Sequence, residues 1–190
     1  DRAAALSRQL LAFSRKQVLE PKVVNPASII SNMKDLLIRL ISEDIEFISD
    51  VDPNLWQIKV DKGQIEQVIL NLVVNARDAM ADGGILKIET SNFFVDETFV
   101  RMHPEANYGQ HVLISLKDNG CGMDEATKSK IFEPFFTTKD PGKGTGLGLS
   151  TVYGIVKQSG GFILVFSELG KSTTFQIYFP KSDEVTTTID

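Results

Sequence analysis

Residues 62–81 constrain this chain more than any other stretch. Ile65, Val68, Ile69, Leu70, Leu72, Val73, Val74, Ala76, Ala79 and Met80 make a helix apolar over most of its circumference, and such a helix is buried on most sides. Asp61, with Gln64 three residues on, has the capping-box pattern that starts it, and Gly83-Gly84 closes it. Yet Gln64, Gln67, Asn71, Asn75, Asp78 and Asp82 recur at intervals of three and four, within an arc of roughly 80° by helix geometry. Such a seam either faces solvent or has a hydrogen-bonding partner, because buried amides and carboxylates are costly when unpaired. Two asparagines one turn apart, with no Lys or Glu beside them, weigh toward a ligand or metal shell.

Asp118-Asn119-Gly120-Cys121-Gly122-Met123 and Gly142-Lys143-Gly144-Thr145-Gly146-Leu147-Gly148-Leu149-Ser150 place several glycines beside few charges. Glycine lets a backbone come close to a ligand and take positive φ. The second stretch runs into Thr151–Lys157, whose apolar spacing is helical, and a Gly-rich loop opening a helix offers N–H groups and a positive dipole end that suit phosphate. Asp118 ends the apolar run Val112–Leu116, where a strand would deliver its carboxylate to a pocket edge. Together these features predict a nucleotide site. Between them, residues 131–139 are aromatic-rich but broken by Pro134 and followed by Pro141-Gly142, as in a hinged cover that is mobile over about 131–144; anchoring to the core explains the phenylalanines equally.

The remaining elements set the architecture. Residues 1–20 carry a narrow seam of Ala3, Leu6, Leu10 and Phe13, the pattern of a coiled-coil or bundle helix or of an ordinary amphipathic one, ended by Pro21; its start inside the pattern suggests a piece of a longer chain. Helices are expected at about 27–41 and 145–159, a short one at 125–130, and strands around 45–48, 56–60, 85–90, 111–117, 162–167 and 173–179. Residues 92–109 read as an irregular excursion without chemistry, and the tail 181–190 as disordered. Wide apolar helix faces with alternating strands predict a two-layer α/β sandwich: a mixed sheet covered on one face by the helices 27–41, 62–81 and 145–159, with helix 1–20 projecting.

At 190 residues and 42% hydrophobic content the chain can bury one full core. A net charge of −5 implies no basic surface for nucleic acid, and one cysteine excludes an internal disulfide and a multi-cysteine zinc site. No apolar run reaches the roughly 18 residues of a membrane helix, so a cytoplasmic location without membrane contact is expected. His103 and His111 have no second ligand at metal-binding spacing and read as solvent-facing or structural.

Residues from about 22 to 180 resemble the ATP-binding catalytic domain of bacterial sensor histidine kinases of the GHKL superfamily. Asn71-Leu72-Val73-Val74-Asn75-Ala76-Arg77-Asp78-Ala79-Met80 is similar to the N box, Asp118–Met123 to the first glycine box, Phe132-Glu133-Pro134-Phe135-Phe136 to the F box, and Gly142–Leu149 to the second glycine box. Gly120-Cys121-Gly122 alone is weak; four boxes in this order are specific. Residues 1–20, with Gln9-Leu10-Leu11-Ala12-Phe13-Ser14-Arg15, resemble the second helix of the dimerisation and phosphoacceptor hairpin.

The resemblance implies ATP or ADP with Mg²⁺ as ligands. Asp118 would accept from the adenine amino group with Thr173 nearby; Asn75 would ligate Mg²⁺; Asn71 and Asp78 would complete the polar shell. Gly144, Gly146 and Gly148 would wrap the phosphates, with Lys139 and Lys143 as movable positive charges. Gly120, Gly122, Met123, Ile131, Phe135, Thr138, Thr145, Leu147 and Leu149 would enclose the nucleotide, and Asn71 and Asn75 would be the catalytic pair. Implied partners are a hairpin of the parent protein and a response-regulator receiver domain, the parent being a homodimer.

Two departures stand out. The family's last box has Gly where this chain has Ser172, and nothing here is similar to the phosphoacceptor box, so the expectation is the donor half of the reaction only. Related ATPases of the superfamily carry a glutamate one turn before the metal-binding asparagine to activate water. Here Asn71 occupies that position, and a neutral amide is a poor base, which favours transfer to a protein nucleophile over hydrolysis. A non-catalytic nucleotide-binding module is the other alternative.

Overall fold

A computed structural model describes residues 19–184. The expected helix 1–20 and the end of the tail, 185–190, lie outside those residues, apart from Leu19 and Glu20, which are not helical.

The chain opens with strand β1 (Lys22–Val24) and helix α1 (Pro26–Leu40). Asn25 caps α1 by accepting from the Ala27 N–H at 2.9 Å, and Pro26 sits where a helix has no use for an N–H. Strands β2 (Ile45–Asp50) and β3 (Ile58–Val60) lead into α2 (Lys62–Ala79), started by Asp61, whose carboxylate accepts from Gln64 N at 3.1 Å. Then come β4 (Gly84–Val95), α3 (Glu97–Met102), β5 (Gly109–Asp118), α4 (Glu125–Lys128), α5 (Gly148–Gln158), β6 (Phe162–Glu168) and β7 (Ser172–Pro180).

Five strands form one sheet in the order β2-β4-β5-β7-β6, with β2 parallel to β4 and every other neighbour antiparallel. A parallel pair needs a crossover, and β3 with α2 supplies it. β1 and β3 pair separately as an antiparallel two-stranded sheet. On one face of the large sheet, Leu86, Ile88, Val112, Ile114, Leu116, Phe175 and Ile177 meet Met33 and Leu37 of α1, Ile65, Ile69, Leu72 and Val73 of α2, and Val152 and Val156 of α5. Helix α2 packs on both α1 and α5. The mixed sheet under three helices agrees with the sequence expectation.

Residues 92–109 do not. Strand β4 runs on to Val95, and Asp96 caps α3 through the Phe99 N–H at 2.7 Å. The reason lies on the second face of the sheet, where Val95, Phe162, Leu164 and Tyr178 are buried beneath Ala106 and pack with Phe93, Phe99 and Val100. Phe162 stacks on Tyr178 with ring centroids 4.5 Å apart. The excursion is therefore a cap on the second face at one end of the sheet. Helix α5 begins at Gly148 and not at residue 145, because Gly146 takes φ 67° and keeps the preceding residues in the loop. Disorder from Lys181 does not hold for the first four tail residues: Lys181 N bonds Gln110 O at 3.0 Å, Ser182 N bonds Gln57 O at 2.8 Å, and Glu184 pairs with Lys59.

Candidate functional site

A cleft of about 650 Å³ lies between α2 and the segments 121–149, with the ends of β5 and β7 at its base. Helix α2 contributes Asn71, Asn75 and Asp78 from its polar seam, together with Val74. The Asn71–Asp78 part of the seam thus faces the cleft, while Ile65, Ile69 and Leu72 hold the opposite side of the helix in the core.

At one end, β5 delivers Asp118, which is 4% exposed and stands opposite Thr173 of β7 in the ladder. Burial pushes the Asp118 carboxyl above its ordinary range, and the backbone N–H groups of Gly120 and Thr173 pull it partly back. Its Oδ1 accepts from Gly120 N at 2.9 Å. Thr173 Oγ1 lies 2.8 Å from Ser167 Oγ, which also accepts from Met123 N at 2.9 Å and donates to Ser172 O at 3.0 Å. Ser167 therefore knits the Met123 loop to β7, a role no sequence pattern marked. The unusual Ser172 sits without strain as the first residue of β7, opposite Glu168, while the positive φ of that turn falls on Gly170.

The first glycine pair serves packing. A Cβ on Gly120 would stand 2.5 Å from Ala79 O, and one on Gly122, whose φ is 62°, 2.0 Å from Glu168 O. Cys121 between them donates its N–H to Ala79 O at 3.0 Å and accepts from Gly170 N at 2.7 Å. The loop is wedged between the end of α2 and the β6–β7 turn, and its neighbours Cys121, Gly122 and Met123 line the cleft.

At the other end, Asn71 Nδ2 donates to Gly148 O at 3.2 Å and joins α2 to the start of α5. The Asn75 amide has no hydrogen-bond partner among the described residues. Asp78 has both carboxylate oxygens engaged: Oδ1 accepts from Arg77 Nη2 at 2.8 Å and Oδ2 from Lys139 Nζ at 2.5 Å. Burial pushes this carboxyl up, but Lys139 and Arg77 together outweigh it and hold it below the ordinary range. Lys143 pairs with Asp140 inside its own loop at 2.9 Å. Among the described residues no cluster of three or more His, Cys, Asp or Glu could hold a metal alone. The hard amide oxygen of Asn75, with the Asp78 carboxylate beside it, fits a Mg²⁺ ion whose other ligands would be phosphate and water.

Ile131, Thr138, Lys139, Lys143, Gly144, Thr145, Gly146, Gly148 and Leu149 line the cleft as well. Three of the expected enclosing residues do not. Gly120 is turned onto Ala79, and Phe135, 57% exposed at φ 68°, bonds Gly146 O through its N–H. Leu147 uses its carbonyl to cap α5, accepting from the hydroxyls of Ser150 and Thr151. The structure also adds Leu70, Cys121, Thr127, Phe136 and Phe175 to the lining. Cys121 lay within the first glycine box, and Phe136 and Thr127 within the F box and the short helix; Leu70 and Phe175 carried no site signal of their own.

The family model for histidine kinase-, DNA gyrase B-, and HSP90-like ATPases matches residues 60–183. This chain belongs to that family. Sensor kinase CckA of Brucella abortus (strain 2308) is 50% identical over 95% of the chain, and sporulation kinase E of Bacillus subtilis (strain 168) 34% identical over 94%. The chain spans 19% and 22% of those two relatives. In structure it is similar to full-length ShkA in complex with AMPPNP, with TM-score 0.69 and 25% identity over 88% of the chain and 32% of that one. The catalytic domain of histidine kinase ThkA matches with TM-score 0.62 and 27% identity over 86% of this chain and 95% of the other. Membership explains why two glycine-bearing loops and a polar helical seam converge on one cleft. No described helix is long and apolar enough to cross a membrane.

Proposed function

We propose that residues 22–180 bind Mg-ATP and donate its γ-phosphoryl group to a histidine on a hairpin of the parent protein. The observation that carries this reading is Asn71. The position from which related ATPases activate water holds a neutral amide already committed to Gly148 O. Among the described residues lining the cleft the carboxylates are Asp78 and Asp118, the first held by two cations and the second buried at the far end.

Adenine would lie against Asp118 and Thr173, the triphosphate along Asn75 and the 138–148 loop. Mg²⁺, when bound, neutralises phosphate charge; Asn75 would hold it through the amide oxygen, with Asp78 nearby. The chain's own task is positioning, which dominates phosphoryl transfer. The acceptor imidazole nitrogen takes the phosphoryl group as the bond to the β-phosphate oxygen breaks. A receiver domain would be the next partner, as supported by a ThkA structure in complex with the response regulator protein TrrA, TM-score 0.66 and 25% identity over 95% of this chain and 48% of that one. The parent would work as a homodimer.

The test uses γ-labelled ATP. This chain alone should neither label itself nor release phosphate quickly, whereas adding the parent's hairpin should yield acid-labile label on the hairpin. Transfer should be slow, because an untethered hairpin forgoes an effective concentration of roughly millimolar order. Brisk phosphate release by the chain alone would instead favour hydrolysis.

A further inference from the structure

The 131–147 segment is joined to the rest of the protein by one ion pair among the described residues, Lys139 to Asp78. Lys143, the other cation expected to work at the phosphates, is tied to Asp140 of its own loop with both side chains about three-quarters exposed, 75% and 74%. The Lys139 side chain is only 32% exposed and that of Asp78 28%. The Lys139 stem runs close past Gly144, where an added Cβ would stand 3.1 Å from Lys139 Cδ. On the far side of the carboxylate, Arg77 donates through Nε at 3.0 Å and Nη2 at 2.8 Å to Oδ1, and through Nη1 at 3.2 Å to Leu40 O at the end of α1. The chain of contacts runs from α1 through Arg77 and Asp78 on α2 to the loop.

We propose that Asp78 is a positioning residue that fastens the 136–147 segment onto α2 through Lys139, with Arg77 fixing the carboxylate for that task. The inference rests on the reading of this cleft as the nucleotide site, and it changes the part assigned to Asp78. A carboxylate with both oxygens held by cations is a tether first and a contributor to the metal shell second. The cation at the phosphate end is then placed by the body of the domain and not by the loop that carries it. Since phosphate oxygens and Asp78 attract the same Lys139 ammonium, nucleotide binding and fastening of the loop are coupled through one side chain.

The test is hydrogen exchange by mass spectrometry on the 190-residue chain, without nucleotide, comparing wild type with Asp78→Asn, Lys139→Gln and Lys139→Arg. Amides of residues 136–147 should exchange about two- to fivefold faster in Asp78→Asn and Lys139→Gln, the factor that a partly exposed pair is worth, with β4 and β5 unchanged. Lys139→Arg should restore protection, because a guanidinium can take the same carboxylate oxygen. Salt at about 0.5 M should speed exchange of this segment in wild type and leave Asp78→Asn unaffected, a response that packing alone does not give. Unchanged exchange of 136–147 in Asp78→Asn, or faster exchange spread through α2 and the sheet, overturns the proposal. A parallel titration of the same samples with Mg-AMPPNP separates the two readings. Wild type that fails to bind sinks the nucleotide site, whereas wild type that binds while its loop ignores Asp78→Asn sinks only the tether.

Discussion

Asp118 stands where the fold disfavours a charge. Burial raises its pKa, so the folded protein disfavours the ionised form, and the carboxylate is kept at a cost that a ligand donor can offset. Asp118→Asn removes the charge yet keeps an oxygen for Gly120 N. We expect the nucleotide-free protein to melt higher, and ATP to bind more weakly by roughly 1.5–3 kcal/mol through loss of a charge-assisted acceptor. Calorimetry of both quantities checks the pair of effects, and a lower melting point together with unchanged affinity would refute the account. Asn75→Ala should behave differently. With no protein partner among the described residues, its amide can be lost with little change in stability, leaving adenine binding and abolishing the dependence of affinity on Mg²⁺. Both residues were identifiable in the sequence because a polar group on an apolar element demands a reason. Ser167 was not, since a serine in an edge strand ordinarily faces water and the Met123 N–H that it accepts from comes from a loop distant in sequence.

At the scale of elements, the α2 seam and the two glycine loops were readable because helical period and glycine content are local properties. What the glycines do was less so. Gly120 and Gly122 are required by neighbours that the sequence cannot place, Ala79 and Glu168. Gly122→Ala should therefore destabilise the domain by well over the roughly 1–2 kcal/mol of a left-handed alanine, since its Cβ meets a carbonyl, whereas Gly142→Ala, with φ 91° and open space around it, should cost only the conformational part. Urea unfolding of the two variants measures the difference. Helix α3 escaped notice because its six residues are too short for a periodic signal, although Asp96 three residues before Phe99 had the form of a cap. Its anchor is Phe99, which meets Phe93, Phe162 and Tyr178. Phe99→Ala should cost about 3 kcal/mol if this second cluster is part of the cooperative core, and much less if α3 frays independently.

For the molecule as a whole, acid should be destabilising through His111. It is 2% exposed among Phe162 and its neighbours on the second face, Nδ1 donates to Gly109 O at 3.0 Å, and Nε2 has no partner among the described residues. Burial lowers its pKa below the ordinary 6.5, so the neutral ring is the folded form. Its stabilisation is complete above the unfolded value and falls away as pH drops through 6.5, where the unfolded chain takes up a proton that the folded one refuses. Unfolding free energies at about pH 7.5 and 5.5 should differ in wild type, and the difference should shrink in His111→Leu, which carries no group to protonate at that position. The global fold was the most readable level of all, because alternating strands and wide apolar helix faces admit few layer arrangements. The parallel pairing of β2 with β4 and the cap on the second face depend on long-range partners and were not. The single tryptophan, Trp56, gives this architecture a built-in optical probe. Its ring lies beneath Lys181, 5.4 Å from Nζ, and its backbone N–H donates to Asn92 Oδ1, Asn92 being six positions along β4 from the Leu86 that pairs with Asp118. At strand rise that is about 20 Å from the Asp118 end of the cleft. Intrinsic fluorescence should thus report undocking of residues 181–184 and global unfolding while staying silent on nucleotide, so denaturation can be followed in saturating ATP without correction for ligand quenching.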